Sequence, residues 1–333
     1  MASPTLYVFE GVAMTMGYQV TVGQRLFFKQ SRQIEKAIQD TFQEIHDCCN
    51  PWNPCSELSR FNQKGIGSVT LSPMLTELFV IIDRCVEETD GKFDPTIGVA
   101  WSKWYSALMC GKYLSEEEIE PLRRHTGWKS QFELRGSELI KKSPQTQVDV
   151  CGVAKGFCVD VIAHRLKGLG VKHALIEWGG EVYAFGNHPE NRNWKVALRD
   201  QGHAGNKIDF GIVQLCEGGI ASSGISQRRW LIDKGESEMT YYHFLDPISL
   251  EPRSEDDCLL LFCSIEATSC ALADAYATTC MLFSSLDELK SWVQQNGSIR
   301  RFFALSRKGE SLSLTKCLDQ TNSNFLNAGK LDH

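Results

Sequence analysis

Residues 270–282 read CALADAYATTCML, a run of small and apolar residues that is typical of a buried helix. This run contains one carboxylate, Asp274, and four residues later a hydroxyl, Thr278. Side chains at positions i and i+4 lie on the same face of a helix, so both oxygens are expected to point at one place. Oxygen ligands suit Mg²⁺ or Ca²⁺ better than zinc. The alternative is structural, with Asp274 as the cap of a shorter helix and Thr278 bonded back to the preceding turn.

A second stretch, VDVCGVAKGF at residues 148–157, places Asp149 and Lys155 on either side of Gly152. The pattern predicts a strand that passes into a helix. Such a turn can offer backbone groups to a metal or a phosphate, with Lys155 as the countercharge. A hard cation beside a phosphate site indicates phosphoryl or pyrophosphate chemistry. Alternatively, Gly152 and Gly156 serve close packing and Lys155 lies in solvent.

Three further stretches combine glycine or proline with isolated polar groups. GKFDPTIG places Asp94 in a turn, EWGGEVYAFG carries Gly179–Gly180, and YHFLDP supplies His243 and Asp246. Each has a structural alternative, namely a turn aspartate, a hairpin or bulge, and a buried histidine without a chemical role. The chain contains neither G-x-x-x-x-G-K-[ST] nor G-x-G-x-x-G, which argues against an ordinary nucleotide-binding fold.

Composition excludes several classes of protein. The chain has 333 residues, 42% of them hydrophobic and 23% charged, which is ordinary for a globular protein. The net charge of -6 gives no support for a nucleic-acid partner, and no apolar run approaches the roughly 18 residues of a membrane span. The 13 cysteines are scattered without a C-x-x-C motif, so we expect mostly buried free thiols.

The N-terminal residues lack a basic segment, and Glu10 stands early, so no signal peptide is predicted. Two alternatives remain open, a cytoplasmic protein and an exported protein whose signal segment has been removed.

The hydrophobic pattern predicts an α+β fold, built as one unit or as two closely packed lobes. Strand-like alternation covers residues 5–23, and helices are predicted over 33–49, 71–88, from Ser115, from the Gly152 turn to 169, and over 286–295. Strands are predicted at HALIEWGGEVYAFG, WKVALRD and DCLLLFCSI. From Ser311 onward the residues are polar, and we expect a loosely ordered tail.

The ordered series TMG, CSELSRFN, GKFDPTIG, VDVCGVAKGF, EWGGEVYAFG, ASSG, YHFLDP and ADAYAT resembles the FAD:protein FMN transferases, also called the ApbE or thiamine-biosynthesis lipoprotein family. The resemblance extends from about residue 7 to about residue 285. It implies an ApbE-like fold of mixed and antiparallel sheets with flanking helices. It also implies a single domain over residues 5–310, followed by the polar tail at 311–333.

The resemblance implies a Mg²⁺-dependent enzyme that cleaves FAD, releases AMP and attaches FMN through a phosphoester to a Thr or Ser of a target flavoprotein. Family targets include subunits of the sodium-translocating NADH:quinone reductase. Members are commonly exported lipoproteins that face outward from the inner membrane, which favours the second alternative for location. Some members instead hydrolyse FAD to FMN and AMP, and a flavin-binding protein without turnover is a third hypothesis.

The resemblance also implies site residues, position by position. The metal ligands are the Gly152 carbonyl, Asp274, the Ala277 carbonyl and Thr278. The FAD contacts are Met16, Trp52, Lys92, Phe93, Asp94, Asp149, Lys155 and Leu245. His243 is our candidate general base for the incoming hydroxyl, since a pKa near 6.5 suits that task, and Asp246 is predicted to orient it.

Two segments depart from the family pattern. The usual T-S-G-D-Y reads SSGIS at residues 222–226, and the usual D-P-x-T-G reads DPISL at 246–250. These changes leave the predicted metal and phosphate residues intact and put loop shape and target choice in question.

Overall fold

The structure is a computed structural model that describes residues 6–200, 208–226, 228–233, 238–315 and 325–328. The helices are α1 (Phe28–Cys49), α2 (Glu57–Gln63), α3 (Pro73–Glu88), α4 (Gly98–Met109), α5 (Glu116–Arg123), α6 (Trp128–Gln131), α7 (Ala154–Gly168), α8 (Cys270–Cys280) and α9 (Leu286–Gln295). The strands are β1 (Tyr7–Ala13), β2 (Met16–Val22), β3 (Gly67–Thr70), β4 (Phe132–Arg135), β5 (Glu138–Lys141), β6 (Ala174–Trp178), β7 (Glu181–Phe185), β8 (Trp194–Asp200), β9 (Ile208–Leu215), β10 (Gly218–Gly224), β11 (Arg229–Asp233), β12 (Glu238–Leu245), β13 (Pro252–Ser254), β14 (Leu260–Ala267), β15 (Ile299–Ser306), β16 (Ser311–Thr315) and β17 (Phe325–Ala328).

The main sheet of the described residues has the strand order β1-β2-β6-β7-β10-β14-β15-β16-β17, and each neighbouring pair is antiparallel. Helices α7 and α8 pack against each other and against the middle strands of this sheet. Their apolar side chains form the main core, in which α8 is buried almost throughout. The predicted α+β fold with antiparallel sheets is confirmed.

A second, smaller core lies between α4, α5 and the three-stranded sheet β11-β12-β13. Trp104 is fully buried there, and its indole N–H donates to the Leu250 carbonyl at 2.6 Å. Neither α4 nor the short α2 was predicted from the sequence. The apolar residues of α4 do not follow one face, so its pattern gave no helical signal.

The predicted helices over 71–88 and 286–295 agree closely with α3 and α9, and both begin with a serine whose side chain accepts from the backbone. The segment HALIEWGGEVYAFG forms a hairpin of two strands, β6 and β7. Gly179 (φ 62°) and Gly180 (φ 102°) form its two-residue turn, a conformation that glycine adopts without strain.

The structure places part of the predicted C-terminal tail in the main sheet. Strand β16 pairs with β15, and its Leu312 and Leu314 are buried, so residues 311–315 are part of the sheet and not of a loose tail. The alternation of serine with leucine in SLSLT is the period-2 pattern of a strand with one buried face. The single-domain assignment stays a prediction.

The cysteines of the described residues are free, as expected from their scattered positions. Among the same residues, no helix combines the length and the apolar character that a membrane crossing requires.

Candidate active site

The contact between α7 and α8 positions the site. A Cβ atom at Gly156 would lie 2.3 Å from the Cys270 carbonyl oxygen, so only glycine permits this approach of the two backbones. One turn further along α7, Asp160 accepts the N–H groups of Cys270 and Ala271, both at 2.8 Å, and thereby caps α8. Burial raises the pKa of Asp160 to about 7, although these two hydrogen bonds oppose the shift. The start of α8 is thus fixed against α7.

Asp274 lies in the middle of α8 and is only 3% exposed. Its Oδ2 accepts the Gly156 N–H at 3.2 Å, and its Oδ1 lies 3.6 Å from Lys155 Nζ. The Lys155 ammonium also donates to Oε1 of Glu181, which is 1% exposed at the start of β7. Lys155 therefore links two buried carboxylates, and the alternative that it lies in solvent is wrong.

Burial and charge act in opposite directions on this cluster. Burial raises the pKa of Asp274, and the nearby Lys155 ammonium partly offsets this. Burial likewise raises the pKa of Glu181 to about 7, against the effect of Lys155. For Lys155, burial favours the neutral amine, but the two carboxylates outweigh it and raise the pKa. The ammonium therefore stays charged at neutral pH.

Thr278 and Gly152 meet beside Asp274. A Cβ atom at Gly152 would lie 3.2 Å from Thr278 Oγ1 and 3.3 Å from Phe93 Cε2. Thr279, the next residue on α8, donates its hydroxyl to the Ala275 carbonyl at 2.8 Å. The Thr278 hydroxyl has no such bond within the described ranges, so the back-bonded alternative for this residue is wrong.

The carbonyl of Gly152 is also left without a donor in the part of the chain that the structure describes. In a continuous helix the Gly156 N–H would bond to it, but here this N–H bonds to Asp274. The Ala277 carbonyl accepts the Cys263 thiol at 3.2 Å. The four predicted metal ligands are therefore all oxygen atoms, and two of them, the Gly152 carbonyl oxygen and Thr278 Oγ1, have no hydrogen-bond partner among the described residues. The described residues contain no group of three or more His, Cys, Asp or Glu side chains placed to hold a metal.

Met16 borders the same cluster, and Asp149 lies in the segment that leads to Gly152. A Cβ atom at Gly179 would lie 2.9 Å from Met16 Sδ and 3.6 Å from Lys155 Cδ. Asp149 Oδ1 accepts the Cys151 N–H at 2.7 Å, while the Asp149 N–H donates to the Pro95 carbonyl at 2.7 Å. The latter bond joins the FDP turn to the segment that precedes α7. The predicted strand before this helix is wrong, because residues 148–150 form no strand and α7 follows directly on a turn at residues 151–153.

Asp94 serves its own turn. Its carboxylate accepts from the Thr96 N–H at 2.8 Å, the Thr96 hydroxyl at 2.5 Å and the Trp128 N–H at 2.9 Å. Burial raises the pKa of Asp94, and these bonds oppose the shift. These bonds agree with the alternative that Asp94 is a turn residue, and any FAD contact of Asp94 remains a prediction.

The other predicted FAD contacts are more dispersed. Phe93 is buried at 6% exposure, and Lys92 Nζ lies 5.0 Å from the centre of the Phe283 ring. Leu245 is buried in the second core, whereas Trp52 is 79% exposed in the loop after α1. The structure does not bring Trp52 or Leu245 into contact with the Asp274 cluster.

His243 lies half-buried on β12. One ring nitrogen is hydrogen-bonded to the Arg228 backbone, and Nδ1 is buried without a partner among the described residues. Burial lowers the pKa of His243 to about 4, and the positive charges of Arg228 and Lys155 add to the shift, while the hydrogen bond to the Arg228 backbone opposes it. The expected pKa near 6.5 is therefore wrong for this protein, and the imidazole is neutral at neutral pH.

Asp246 does not orient His243. Its Oδ1 accepts the N–H groups of Ile248 at 2.8 Å and Ser249 at 3.2 Å, and its Oδ2 lies 3.6 Å from Arg253 Nη1. Because the strand ends at Leu245, the Asp246 side chain turns into the following loop. The predicted orienting role is wrong, and Asp246 stabilises the DPISL turn.

The sequence model of the ApbE family matches residues 14–303. The chain belongs to the ApbE family. It is 34% identical over 296 residues to a Chlamydia muridarum protein named FAD:protein FMN transferase, covering 88% of this chain and 90% of that protein. A Chlamydia trachomatis protein of the same name is 34% identical over 302 residues, with the same coverage.

Solved structures of ApbE proteins share the fold. The flavin transferase ApbE from Vibrio cholerae superposes with a TM-score of 0.75 at 22% identity, covering 97% of each chain. The ApbE protein from Thermotoga maritima gives a TM-score of 0.78 at 22% identity, covering 92% of this chain and 96% of the other.

The altered ApbE loop at residues 246–250 keeps a backbone conformation that favours glycine. Leu250, which replaces the usual glycine, has a φ of 57° and is fully buried in the second core. The left-handed conformation costs a leucine about 1–2 kcal/mol, which its burial offsets. The other altered segment continues β10 to Gly224, where the Ser222 hydroxyl donates to that of Ser264 at 3.0 Å.

Sequence reasoning missed Glu181 as a member of this ApbE site. Glu181 directly follows the double glycine. The available signal was its position, because it is a charged residue at the start of an otherwise apolar strand.

Proposed function

We propose that this protein is a Mg²⁺-dependent flavin transferase that cleaves FAD, releases AMP and attaches FMN to a Thr or Ser hydroxyl of a target flavoprotein. The names of the relatives support the flavin transfer. The observation that carries the proposal is the convergence of Asp274, Thr278 and the Gly152 turn beside the Lys155 ammonium. This arrangement can hold a hard cation and an anionic pyrophosphate side by side.

The residues present fit a magnesium ion. Gly152 and Thr278 offer oxygens that lack donors among the described residues, and Asp274 offers the one carboxylate of the predicted set. With the Ala277 carbonyl, all four proposed ligands are oxygen atoms, as Mg²⁺ prefers. When bound, the ion neutralises charge on the FAD pyrophosphate and on the departing AMP.

The chain's own side chains bind the pyrophosphate and accept the proton. Lys155 remains charged and offsets further phosphate charge, while the two glycine-containing turns let the ligand approach the backbone. His243 takes the proton of the acceptor hydroxyl on its unpartnered Nδ1. The acceptor oxygen bonds to the flavin-side phosphorus, the bond from that phosphorus to the bridging oxygen breaks, and AMP leaves with the bridging oxygen.

The proposed acceptor is a membrane redox protein, with a subunit of the sodium-translocating NADH:quinone reductase as the first to test. The proposal includes an outward-facing location at the inner membrane, which the family resemblance supports. FAD is the flavin substrate, and no nucleic acid takes part.

The test incubates the protein with FAD and Mg²⁺, with and without the acceptor subunit, and measures AMP together with flavin fluorescence on the denatured acceptor. The matched control is the same acceptor with alanine at its target Thr or Ser. We expect AMP and protein-bound FMN in equal amounts, only with the unaltered acceptor. AMP release at the same rate without acceptor would identify an FAD pyrophosphatase, and no AMP in any mixture would leave only flavin binding.

A further inference from the structure

Glu181 is placed by a two-residue turn of the main sheet. It is the first residue of β7 and pairs with Trp178 across the two-residue Gly179–Gly180 turn. A Cβ atom at Gly179 would lie 3.5 Å from Glu181 Oε2, 2.9 Å from Met16 Sδ and 3.6 Å from Lys155 Cδ. The hairpin therefore holds the carboxylate directly against the Lys155 side chain.

The two carboxylates compete for one ammonium. Lys155 Nζ is in direct contact with Glu181 Oε1, whereas it lies 3.6 Å from Asp274 Oδ1, longer than a normal hydrogen bond. Glu181 Oε2 is buried and has no hydrogen-bond partner in the described part of the chain. A buried, unpaired carboxylate oxygen is costly, so it is available to take a second bond from the ammonium.

We propose that Glu181 is a positioning residue that holds the Lys155 ammonium away from Asp274 and thereby leaves Asp274 Oδ1 open to a divalent cation. The inference rests on the proposed function, since it concerns the same metal site. Without Glu181, Asp274 is the remaining carboxylate partner of Lys155, and the pair is neutral and closed to a metal ion.

The test measures Mn²⁺ binding to the protein without FAD, by electron paramagnetic resonance of the free ion. Glu181→Gln keeps the shape of the side chain and removes its charge, and we expect it to weaken Mn²⁺ binding by roughly tenfold or more. Glu181→Asp keeps the charge and should recover part of the affinity. Glu177→Gln, on the neighbouring strand and exposed, is the matched control and should bind as the wild type does.

A double-mutant cycle separates positioning from a general loss of charge. In a Lys155→Met background, Glu181→Gln should change Mn²⁺ affinity by less than about twofold, because there is no ammonium to hold. An equal loss in both backgrounds, wild-type affinity in Glu181→Gln, or no Mn²⁺ binding by the wild type would each overturn the inference. Thermal unfolding of each variant shows whether it is still folded. If Glu181→Gln has lost its fold, Glu181→Asp takes its place in the cycle.

The outcome is independent of flavin transfer. If Mn²⁺ binding depends on Glu181 but no AMP appears with FAD and acceptor, the proposed function fails and this inference stands. If FMN is transferred while Glu181→Gln binds Mn²⁺ as the wild type does, this inference alone fails.

Discussion

The backbone N–H of Gly156 donates to Oδ2 of Asp274 at 3.2 Å, across the contact between α7 and α8. The same bond withdraws that N–H from the Gly152 carbonyl and holds one oxygen of the Asp274 carboxylate. The second oxygen, Oδ1, faces Lys155. One interaction between two helices thus orients the carboxylate and frees a backbone oxygen beside it.

Gly156→Ala should destabilise the fold. The added Cβ would lie 2.3 Å from the Cys270 carbonyl oxygen, which is a backbone atom that cannot move alone. We expect a loss of about 1–3 kcal/mol in the free energy of unfolding, measured by urea denaturation. Gly168→Ala, at the end of the same helix and with nothing within 4 Å of its Cβ, should be neutral or gain up to about 1 kcal/mol. Equal effects of the two changes would contradict this account of the helix contact.

Thr278→Val and Thr279→Val should separate metal binding from stability. The Thr279 hydroxyl is buried and bonded to Ala275, so its loss should cost about 0.5–1.5 kcal/mol of stability and leave the Mg²⁺ dependence of AMP release unchanged. The Thr278 hydroxyl has no partner among the described residues, so its loss should weaken Mg²⁺ dependence with little change in melting temperature. The reverse pattern would remove Thr278 from the ligand set.

His243→Ala should keep FAD binding and slow flavin transfer by roughly 10²-fold or more, as expected for loss of a general base. His164→Ala, on the exposed face of α7, is the control and should transfer normally. Transfer at the wild-type rate by His243→Ala would exclude the base assignment without excluding the flavin site.

The pH dependence of the wild type should reflect the depressed pKa of His243. Because about 4 lies below the ordinary 6.5, the unfolded chain takes up this proton first as the pH falls. The contribution to stability is full above about pH 6.5 and is lost progressively between 6.5 and 4. The pH profile of kcat/KM should accordingly show no acid limb near 6.5, and a limb at that value would mean that the imidazole is solvated.

FAD should bind more tightly than FMN or riboflavin, because the AMP half of the molecule contributes contacts of its own. Calorimetric titration in the presence of Mg²⁺ compares the three, and we expect micromolar or tighter binding of FAD. Equal affinities for FAD and FMN would count against a site built around the pyrophosphate.

The parts of this protein that follow a local rule could be predicted from its sequence. Helices α3 and α9 begin at serine caps and carry a regular apolar face, and the i, i+4 spacing placed Asp274 and Thr278 on one side of α8. Pairings between distant segments could not be predicted. Lys155 and Glu181 are brought together by the packing of α7 on the sheet, which no local pattern encodes.

Nearness in sequence was also misleading. Asp246 stands three residues after His243, but the strand ends between them, so its side chain serves the turn. The depressed pKa of His243 arises from burial, which a sequence motif does not report. Leu250 is the opposite case. It differs from the glycine of the family pattern, yet its packing in the second core keeps the backbone in the left-handed conformation.

The most direct test of the metal site is a Mg²⁺ titration of AMP release from FAD by wild-type protein and by Asp274→Asn. The substitution nearly preserves the side-chain shape and removes the one charged group among the four proposed ligands. We expect no AMP release by Asp274→Asn at Mg²⁺ concentrations that saturate the wild type, with partial recovery at much higher Mg²⁺ or with Mn²⁺. If the titration curves of the two proteins superimpose, the metal does not bind at Asp274 and the proposed mechanism is wrong.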